Sequence, residues 1–285
     1  MEDAAGRDSG LSAMLSAMHP ECTTRRTGLV AGLLLAALGT LTHAGGAGQV
    51  SRPPSTSRVL FIGNSLTAAN DLPGIVSDLA RVRGRVMEVE AVTFNNFSLE
   101  DHWRQGAARD AIARGGWTTV VLQQGPSALT ESRELLVEYT RRFDEEIRRV
   151  GATTALYMVW PARARSGDFS AVSASYAAAA RRVDGLLLPA GDAWRAAWRL
   201  DSTLPLYGPD DFHPSPLGSY LAALVIYASL TGESPIGLPA AAVAVEPGEP
   251  AKPLDDAVVD ALQRAASSVL PRGTATRLVF PLTVS

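Results

Sequence analysis

The stretch Arg58–Leu66, with the sequence RVLFIGNSL, decides the fold. Its first part, RVLFIG, is an almost continuous apolar run, which is typical of a strand buried on both faces of a parallel sheet. Asn64 and Ser65 follow directly, and the apolar residues of Leu72–Val82 then recur at helical spacing. The stretch therefore predicts a buried strand, a polar turn and a helix, which is the repeating unit of an α/β protein.

The same alternation continues along the chain. Further strands are predicted at Val86–Phe94, Thr118–Gln123, Thr153–Trp160 and Leu186–Leu188. Helices are predicted over Leu99–Arg114, Glu131–Val150, Phe169–Val183, Asp255–Leu270 and, after a Ser215 cap, from Pro216 to about Leu230. This order predicts a three-layer α/β/α sandwich around a mainly parallel five-stranded sheet. Because no internal repeat is visible, residues 58–285 are expected to form one domain, with Pro235–Pro253 as an extended surface segment.

The amino-terminal residues have the layout of a secretory signal peptide. An arginine pair precedes the apolar run Gly28–Leu41, and small residues around Ala44 offer a cleavage site. The run is shorter than the roughly 20 residues that a bilayer span needs, so cleavage is favoured over an uncleaved anchor, which stays the alternative. Residues 1–44 are therefore expected to be removed on export to the periplasm or the external medium. Residues 45–57 are expected to form a flexible lead-in, and membrane contact is expected only through the signal segment.

The composition excludes several classes of function. The chain has 285 residues, 19% of them charged, and a formal net charge of -3, so no nucleic-acid partner and no polybasic membrane patch are expected. Its one cysteine, Cys22, lies within the predicted signal peptide. A mature chain without a thiol cannot have a disulfide, a cysteine nucleophile or a thiolate metal site.

Ser65 occupies a position that suits a nucleophile. In an open α/β sheet, ligands bind beyond the carboxyl ends of the strands, and Ser65 comes directly after the first strand. A helix begins shortly after it, so that backbone N–H groups lie close to the hydroxyl. Serine at a strand end is also a common capping or turn residue, and the position alone does not separate the two roles.

The segment Gly208–Ser215, GPDDFHPS, carries a stronger signal. Asp210 lies close enough to His213 for its carboxylate to hold the imidazole Nδ1–H, which leaves Nε2 as a base for a serine hydroxyl. Once the signal peptide is removed, His102 is the only other histidine, and its helical surroundings favour a surface or packing role. The alternative is a loop in which Asp210 caps a helix and His213 packs.

In sequence and order these segments resemble the SGNH (GDSL-type) hydrolases. Phe61–Thr67 (FIGNSLT), followed by Asn70–Pro73 (NDLP), is similar to the first block of a bacterial subgroup that has G-N-S in place of G-D-S. Asp210–Ala223 (DDFHPSPLGSYLAA) is similar to the last block of that subgroup. The resemblance extends roughly from Arg58 to Gly232.

The resemblance implies an α/β/α fold of the SGNH, flavodoxin-like kind. It also implies a catalytic triad in which Ser65 is the nucleophile, His213 the base and Asp210 the acid that orients it. Such an enzyme hydrolyses esters by acyl transfer and is expected to need neither a metal nor an organic cofactor. Because an exported enzyme meets polysaccharides and glycans, the expected partner is a small-molecule or glycan ester substrate. An acetyl or other short acyl group on a carbohydrate is preferred, and the oligomeric state is left open.

The middle blocks depart from the family pattern. Where the second block of the family supplies a glycine, residues 94–99 read FNNFSL, so that Asn96 would donate its backbone N–H to the oxyanion together with Ser65. Asn96 must then adopt the dihedral angles of that glycine, and asparagine tolerates a positive φ better than most residues. Where the third block reads G-x-N-D, this chain has QQGPS, so that either the Gln124 amide or the Ser127 hydroxyl completes the oxyanion hole. Two glutamines that only end a strand are the alternative.

Two other functions fit the same residues. The altered middle blocks favour a binding protein of this fold that holds a glycan or acyl ligand with little turnover. A lipase or thioesterase for longer acyl chains is the other possibility, and exposed tryptophans around the site would set that preference. The candidates are Trp103, Trp160, Trp194 and Trp198, although a tryptophan at such spacing is more often part of the core.

Overall fold

A computed structural model describes residues 56–240 and 254–271 of the protein. The predicted signal peptide and its cleavage site lie outside the described residues, as does the predicted lead-in up to residue 55. Residues 241–253 of the predicted extended segment and residues 272–285 of the predicted domain also lie outside them.

The strands of the described chain form one sheet in which every pair is parallel. They are β1 (Ser57–Gly63), β2 (Met87–Thr93), β3 (Thr119–Leu122), β4 (Thr153–Tyr157) and β5 (Leu186–Leu188). Their order in the sheet is β2-β1-β3-β4-β5. The chain moves from β1 to one side and then returns to build the other side, so the strand order reverses between β1 and β3. Ligands of open α/β sheets bind at the carboxyl ends of the strands at such a reversal.

Helices cover both faces of this sheet. They are α1 (Ser65–Ala68), α2 (Leu72–Val82), α3 (Leu99–Gln105), α4 (Ala107–Ala113), α5 (Thr130–Arg149), α6 (Phe169–Arg182), α7 (Ala190–Leu200), α8 (Pro216–Thr231) and α9 (Asp256–Ser268). One group, α2, α7, α8 and α9, packs together, and α3 to α6 form a second group. These groups are the outer layers of a three-layer α/β/α sandwich, which confirms the predicted fold class. No helix within the described ranges is both long and apolar enough to cross a membrane.

The structure corrects two of the predicted elements and adds a third that was not predicted. The single helix predicted over Leu99–Arg114 is wrong, because Gly106 has a φ of 98° that no α-helix can contain, and α4 begins at the next residue. The strand predicted over Thr153–Trp160 ends at Tyr157, since its partner β5 ends there in the register of the sheet. The sequence patterns do not predict α7, which follows β5 almost without a loop.

The helix α8 packs against α2, α7 and α9 and also contacts β5. Ser215 caps it and Pro216 begins it, as predicted, and it is buried on almost every side. Its Gly218 lies so close to the preceding segment that a Cβ atom would be 2.3 Å from the Leu206 carbonyl oxygen and 2.6 Å from Trp194 Cζ2. This close approach fixes α8 relative to the loop that carries His213.

We expect Gly218→Ala to lower the free energy of unfolding, as measured by denaturant titration. Alanine normally favours a helix interior over glycine by about 1 kcal/mol. Here the added methyl group has no room, and forcing it into a packed site costs about 1–3 kcal/mol, so the loss outweighs the gain. Gly167→Ala is the matched control, because no atom lies within 4 Å of its added methyl group. A Gly218→Ala protein as stable as the parent would contradict this account of the packing.

Candidate active site

Ser65 is the first residue of α1 and directly follows β1 and Asn64. Asn64 has extended backbone dihedral angles, and its side-chain Oδ1 accepts the Leu66 N–H at 3.1 Å, so it caps the short helix. This turn places the Ser65 hydroxyl beyond the carboxyl end of β1, at the edge of the sheet where the strand order reverses.

The imidazole of His213 lies between Ser65 and Asp210. Its Nε2 is 2.8 Å from Ser65 Oγ, and its Nδ1 is 2.5 Å from Asp210 Oδ2. With Nδ1–H donated to the carboxylate, Nε2 is the nitrogen that can accept the serine proton. The structure thus brings together the three side chains that the sequence predicts as a triad, although Ser65 and His213 are 148 residues apart.

The carboxylate of Asp210 is fixed by backbone hydrogen bonds in addition to its bond with His213. Its Oδ1 accepts the backbone N–H groups of Phe212 at 3.1 Å and His213 at 2.9 Å, which leaves Oδ2 for the imidazole. The pKa of Asp210 is lowered to about 2, first by the hydrogen bond from the His213 side chain and further by these backbone donors. The carboxylate is therefore ionised at neutral pH, as an acceptor of the Nδ1–H must be.

Asn70 connects the serine segment to the histidine loop. Its Nδ2 donates to the Pro214 carbonyl oxygen at 3.0 Å and to Ser219 Oγ at 2.9 Å. The residue has a φ of 54°, a left-handed conformation that asparagine adopts more readily than most residues. In the sequence Asn70 is only one residue of a block that resembles the family, whereas the structure shows it bonded to a residue 144 positions away.

The histidine loop is also closed on itself and anchored to the core. Gly208 N–H donates to the His213 carbonyl oxygen at 2.8 Å, and Tyr207 forms an antiparallel bridge with Pro214. The buried Trp160 donates its indole N–H to the Phe212 carbonyl oxygen at 3.0 Å. These bonds hold the loop backbone on both sides of the imidazole.

The Gln123 side chain, which follows β3, is hydrogen-bonded to Asn64 and Thr67 on either side of Ser65. It is fully buried, and its Oε1 accepts the Asn64 backbone N–H at 2.9 Å and the Thr67 hydroxyl at 2.7 Å. Its Nε2 donates to Asn64 Oδ1 at 3.0 Å and to the Gln124 carbonyl oxygen. Gln123 therefore does more than end a strand, and sequence reasoning missed this because a glutamine at a strand end has no distinguishing pattern.

Two backbone N–H groups at the site are available to an oxyanion. Neither Ser65 N–H nor Asn96 N–H donates to any acceptor within the described part of the chain. Asn96 has a φ of 62°, a left-handed conformation that suits a residue in the place of a glycine. Both groups therefore fit the predicted role of oxyanion donors.

The side chains of Gln124 and Ser127, one of which the sequence predicts as an oxyanion donor, make other hydrogen bonds in the structure. Gln124 is buried, and its Nε2 donates to Ser127 Oγ at 2.8 Å and to the Ser132 carbonyl oxygen at 3.3 Å, which uses both hydrogens. Its Oε1 accepts the Leu99 N–H at 3.0 Å. The Ser127 hydroxyl donates to the Gly125 carbonyl oxygen at 2.9 Å. Because every side-chain hydrogen is already donated, neither side chain can donate to a substrate in this arrangement.

His102 and the tryptophans belong to the packed interior. His102 is fully buried, its Nε2–H donates to the Gly63 carbonyl oxygen at 2.8 Å, and burial lowers its pKa. Trp160 and Trp194 are also fully buried and stack with their ring centroids 3.6 Å apart. Trp103 packs edge-on against Phe143, and Trp198 packs against Tyr207 and Phe169. Trp103 and Trp198 are partly buried against the core and Trp160 and Trp194 lie within it, which does not support the expectation that these tryptophans set the acyl-chain preference.

The site is open to solvent. The side chains of His213 and Asp210 are 39% and 52% exposed, and Asn96 is exposed as well. Two open surface cavities of the described residues, about 350 and 300 Å³, are lined mainly by arginine and acidic side chains away from the triad. Residues 56–240 and 254–271 contain no group of three or more side chains that could hold a metal ion.

An α/β/α sandwich with a hydroxyl, an imidazole and a carboxylate in line at its switch point defines a serine hydrolase site. The chain is 30% identical to a protein from Slackia heliotrinireducens assigned to the SGNH hydrolases, over 62% of this chain and 100% of that one, with a TM-score of 0.54. The chain belongs to the SGNH hydrolases, as its sequence motifs predict. It is therefore an ester-hydrolysing enzyme by class.

Two further solved structures share the fold. A DUF4886 family protein from Bacteroides uniformis is 20% identical over 75% of this chain and 94% of that one, with a TM-score of 0.62. An acetyl-xylooligosaccharide esterase from Geobacillus is 15% identical over 63% of this chain and 96% of that one, with a TM-score of 0.52. No protein-family model and no curated protein matches the chain.

We expect Asn70→Gly to lower the turnover of an ester substrate by at least about tenfold and to reduce stability by about 1–3 kcal/mol. The change removes both side-chain bonds to the histidine loop and leaves the Pro214 carbonyl oxygen without that donor. Glycine keeps the positive φ, so the backbone strain that alanine would add is absent. Steady-state kinetics and thermal unfolding measure the two effects. Unchanged kcat would mean that the histidine loop does not depend on Asn70.

Proposed function

We propose that the protein is an exported serine esterase that removes a short acyl group, with acetyl preferred, from a carbohydrate ester. Ser65 is the nucleophile, His213 the general base and Asp210 the residue that orients the imidazole. The observation that carries the proposal is the pair of contacts on one imidazole, 2.8 Å to Ser65 Oγ and 2.5 Å to Asp210 Oδ2. A serine hydroxyl becomes a nucleophile only when such a base removes its proton.

The reaction follows from these contacts as an acyl transfer. Ser65 Oγ forms a bond to the ester carbonyl carbon while its proton passes to His213 Nε2, and the carbonyl π electrons move to the oxygen. When the tetrahedral intermediate collapses, the bond to the alcohol oxygen breaks and His213 returns the proton to that oxygen. A water molecule then attacks the acyl-Ser65 carbonyl with His213 as base. The acid leaves and Ser65 regains its proton.

The developing oxyanion is stabilised by the backbone N–H groups of Ser65 and Asn96. Each such donor is worth about 10²–10³ in kcat. Since the Gln124 and Ser127 side chains are committed to other bonds, the proposed oxyanion hole has two donors. This reduced set is the observation that favours the second candidate, a binding protein of the same fold with little turnover.

The openness of the site supports a short acyl group on a bulky alcohol. A long acyl chain needs an apolar cavity to leave water, and the two cavities described above are lined mainly by charged side chains away from the triad. An exposed imidazole and carboxylate leave room for a large alcohol, such as a sugar, to approach from solvent. The fold is shared with an acetyl-xylooligosaccharide esterase, and an exported enzyme would meet such substrates.

We expect the purified protein to hydrolyse p-nitrophenyl acetate, with the release of p-nitrophenol followed by absorbance. Ser65→Ala and His213→Ala should each lower kcat by about 10³-fold or more, because each removes a member of one catalytic unit. Ser170→Ala, an exposed serine on α6, is the matched control and should retain the parental rate.

The same assay separates the alternatives. A parent protein that is inactive on several short acyl esters would favour the binding protein. A rate on an octanoyl ester that exceeds the rate on the acetyl ester would favour a lipase or thioesterase.

We also expect an organofluorophosphonate to form one covalent adduct, on Ser65, as identified by peptide mass spectrometry. The adduct should be absent in His213→Ala, because the hydroxyl is then not activated. It should form about 10³–10⁴-fold more slowly in Asp210→Asn, where the amide favours the wrong imidazole tautomer. Labelling of another serine, or labelling of Ser65 that does not depend on His213, would contradict the assigned roles.

A further inference from the structure

The side chain of Asn64 makes three hydrogen bonds from a buried position next to Ser65. Its Oδ1 accepts from the Leu66 N–H and from Gln123 Nε2, at 3.1 and 3.0 Å. Its Nδ2 donates to the Phe97 carbonyl oxygen at 3.1 Å. The first two bonds join Asn64 to its own turn and to the residue that follows β3. The third bond joins it to Phe97, in the turn after β2.

The Phe97 carbonyl belongs to the turn that carries Asn96. This turn is closed by the Phe97 N–H, which donates to the Phe94 carbonyl oxygen at 3.2 Å. Inside it, Asn96 has a φ of 62° and its backbone N–H has no acceptor among the residues described. The Asn64 carboxamide is therefore a direct link between the segment of one proposed oxyanion donor, Ser65, and the turn of the other.

We propose that Asn64 is a positioning residue, which fixes the Asn96 N–H relative to the Ser65 N–H through its Nδ2 bond to Phe97. The inference rests on the proposed function, since it assigns a task to the two donors of that mechanism. With only two donors, their separation decides how well both reach one oxygen atom, because catalysis depends on donors that are already in place when the charge develops.

An amide is required at position 64 by this arrangement. The side chain must accept on one side, from Leu66 and Gln123, and donate on the other, to Phe97. An aspartate of the same shape has no hydrogen to donate when ionised, so a carboxylate oxygen would face the Phe97 carbonyl oxygen. Aspartate is as good a helix N-cap as asparagine, so the capping bond to Leu66 would survive. Asn64→Asp therefore separates the link to Phe97 from the cap of α1.

We expect Asn64→Asp to lower kcat for p-nitrophenyl acetate by about 10–10²-fold at neutral pH with KM within about twofold of the parent, because only transition-state stabilisation is lost. The inhibition constant of an alkylboronic acid, whose adduct with a serine is tetrahedral, should rise by a similar factor. Asn95→Asp puts the same charge into the same turn but keeps the link to Phe97, and its kcat should stay within about threefold of the parent.

Hydrogen–deuterium exchange gives a readout that does not need activity. In Asn64→Asp the peptide spanning residues 94–101 should exchange faster than in the parent and in Asn95→Asp, because its anchor is lost. Asn64→Ser, which also keeps a cap but lacks the amide N–H group that bonds Phe97, replaces the aspartate variant if that variant does not fold.

The outcomes distinguish this inference from the proposed function. A parent protein without esterase activity refutes the proposed function and with it the catalytic task of Asn64, while the exchange data still decide whether the link holds the turn. An active parent with unchanged kcat in Asn64→Asp overturns the inference alone, whatever the exchange rate. A fall in kcat matched by an equal fall in Asn95→Asp would overturn it too, since charge and not the lost link would then be the cause.

Discussion

The proposed chemistry depends on one hydrogen bond, from the Ser65 hydroxyl to His213 Nε2. Its partners are 148 residues apart in the chain, so its geometry depends on how the intervening elements pack. The parallel sheet places Ser65 beyond the end of β1, and α8, held close by Gly218, carries the loop of His213 to the same edge. Asn70 then joins the two segments directly.

Hydrogen bonds from side-chain amides fix the positions of the segments around Ser65. The buried Asn64 and Gln123 each bind groups on two different segments, and the exposed Asn70 donates to the histidine loop. An amide can donate and accept at the same time, so a buried amide can join two backbone segments without burying a charge. A buried hydrogen-bond network makes its surroundings rigid when every polar group in it is bonded. Both the oxygen and the nitrogen of the Gln123 side chain are fully bonded.

The carboxylate and the imidazole of the site have different surroundings from these amides. Asp210 and His213 stay partly exposed, where an ionised carboxylate costs little, and the carboxylate is stabilised by hydrogen bonds that hold its pKa at about 2. His102, in contrast, is buried in aromatic surroundings with a lowered pKa, which suits a neutral packing residue. The partly exposed His213 is therefore the imidazole beside the nucleophile, and the buried His102 is the one that bonds to β1.

The sequence by itself determined the fold class, four of the five strands to within about a residue at each end, and the pairing of Asp210 with His213, because these follow from local periodicity and short spacing. It also located Ser65 at the end of the first strand. It did not determine the break at Gly106, the packing of the tryptophans or the bonds of Gln123, Gln124 and Ser127. Those were decided only by tertiary structure, because the partner of a buried amide or ring comes from a distant segment and leaves no local pattern in the chain.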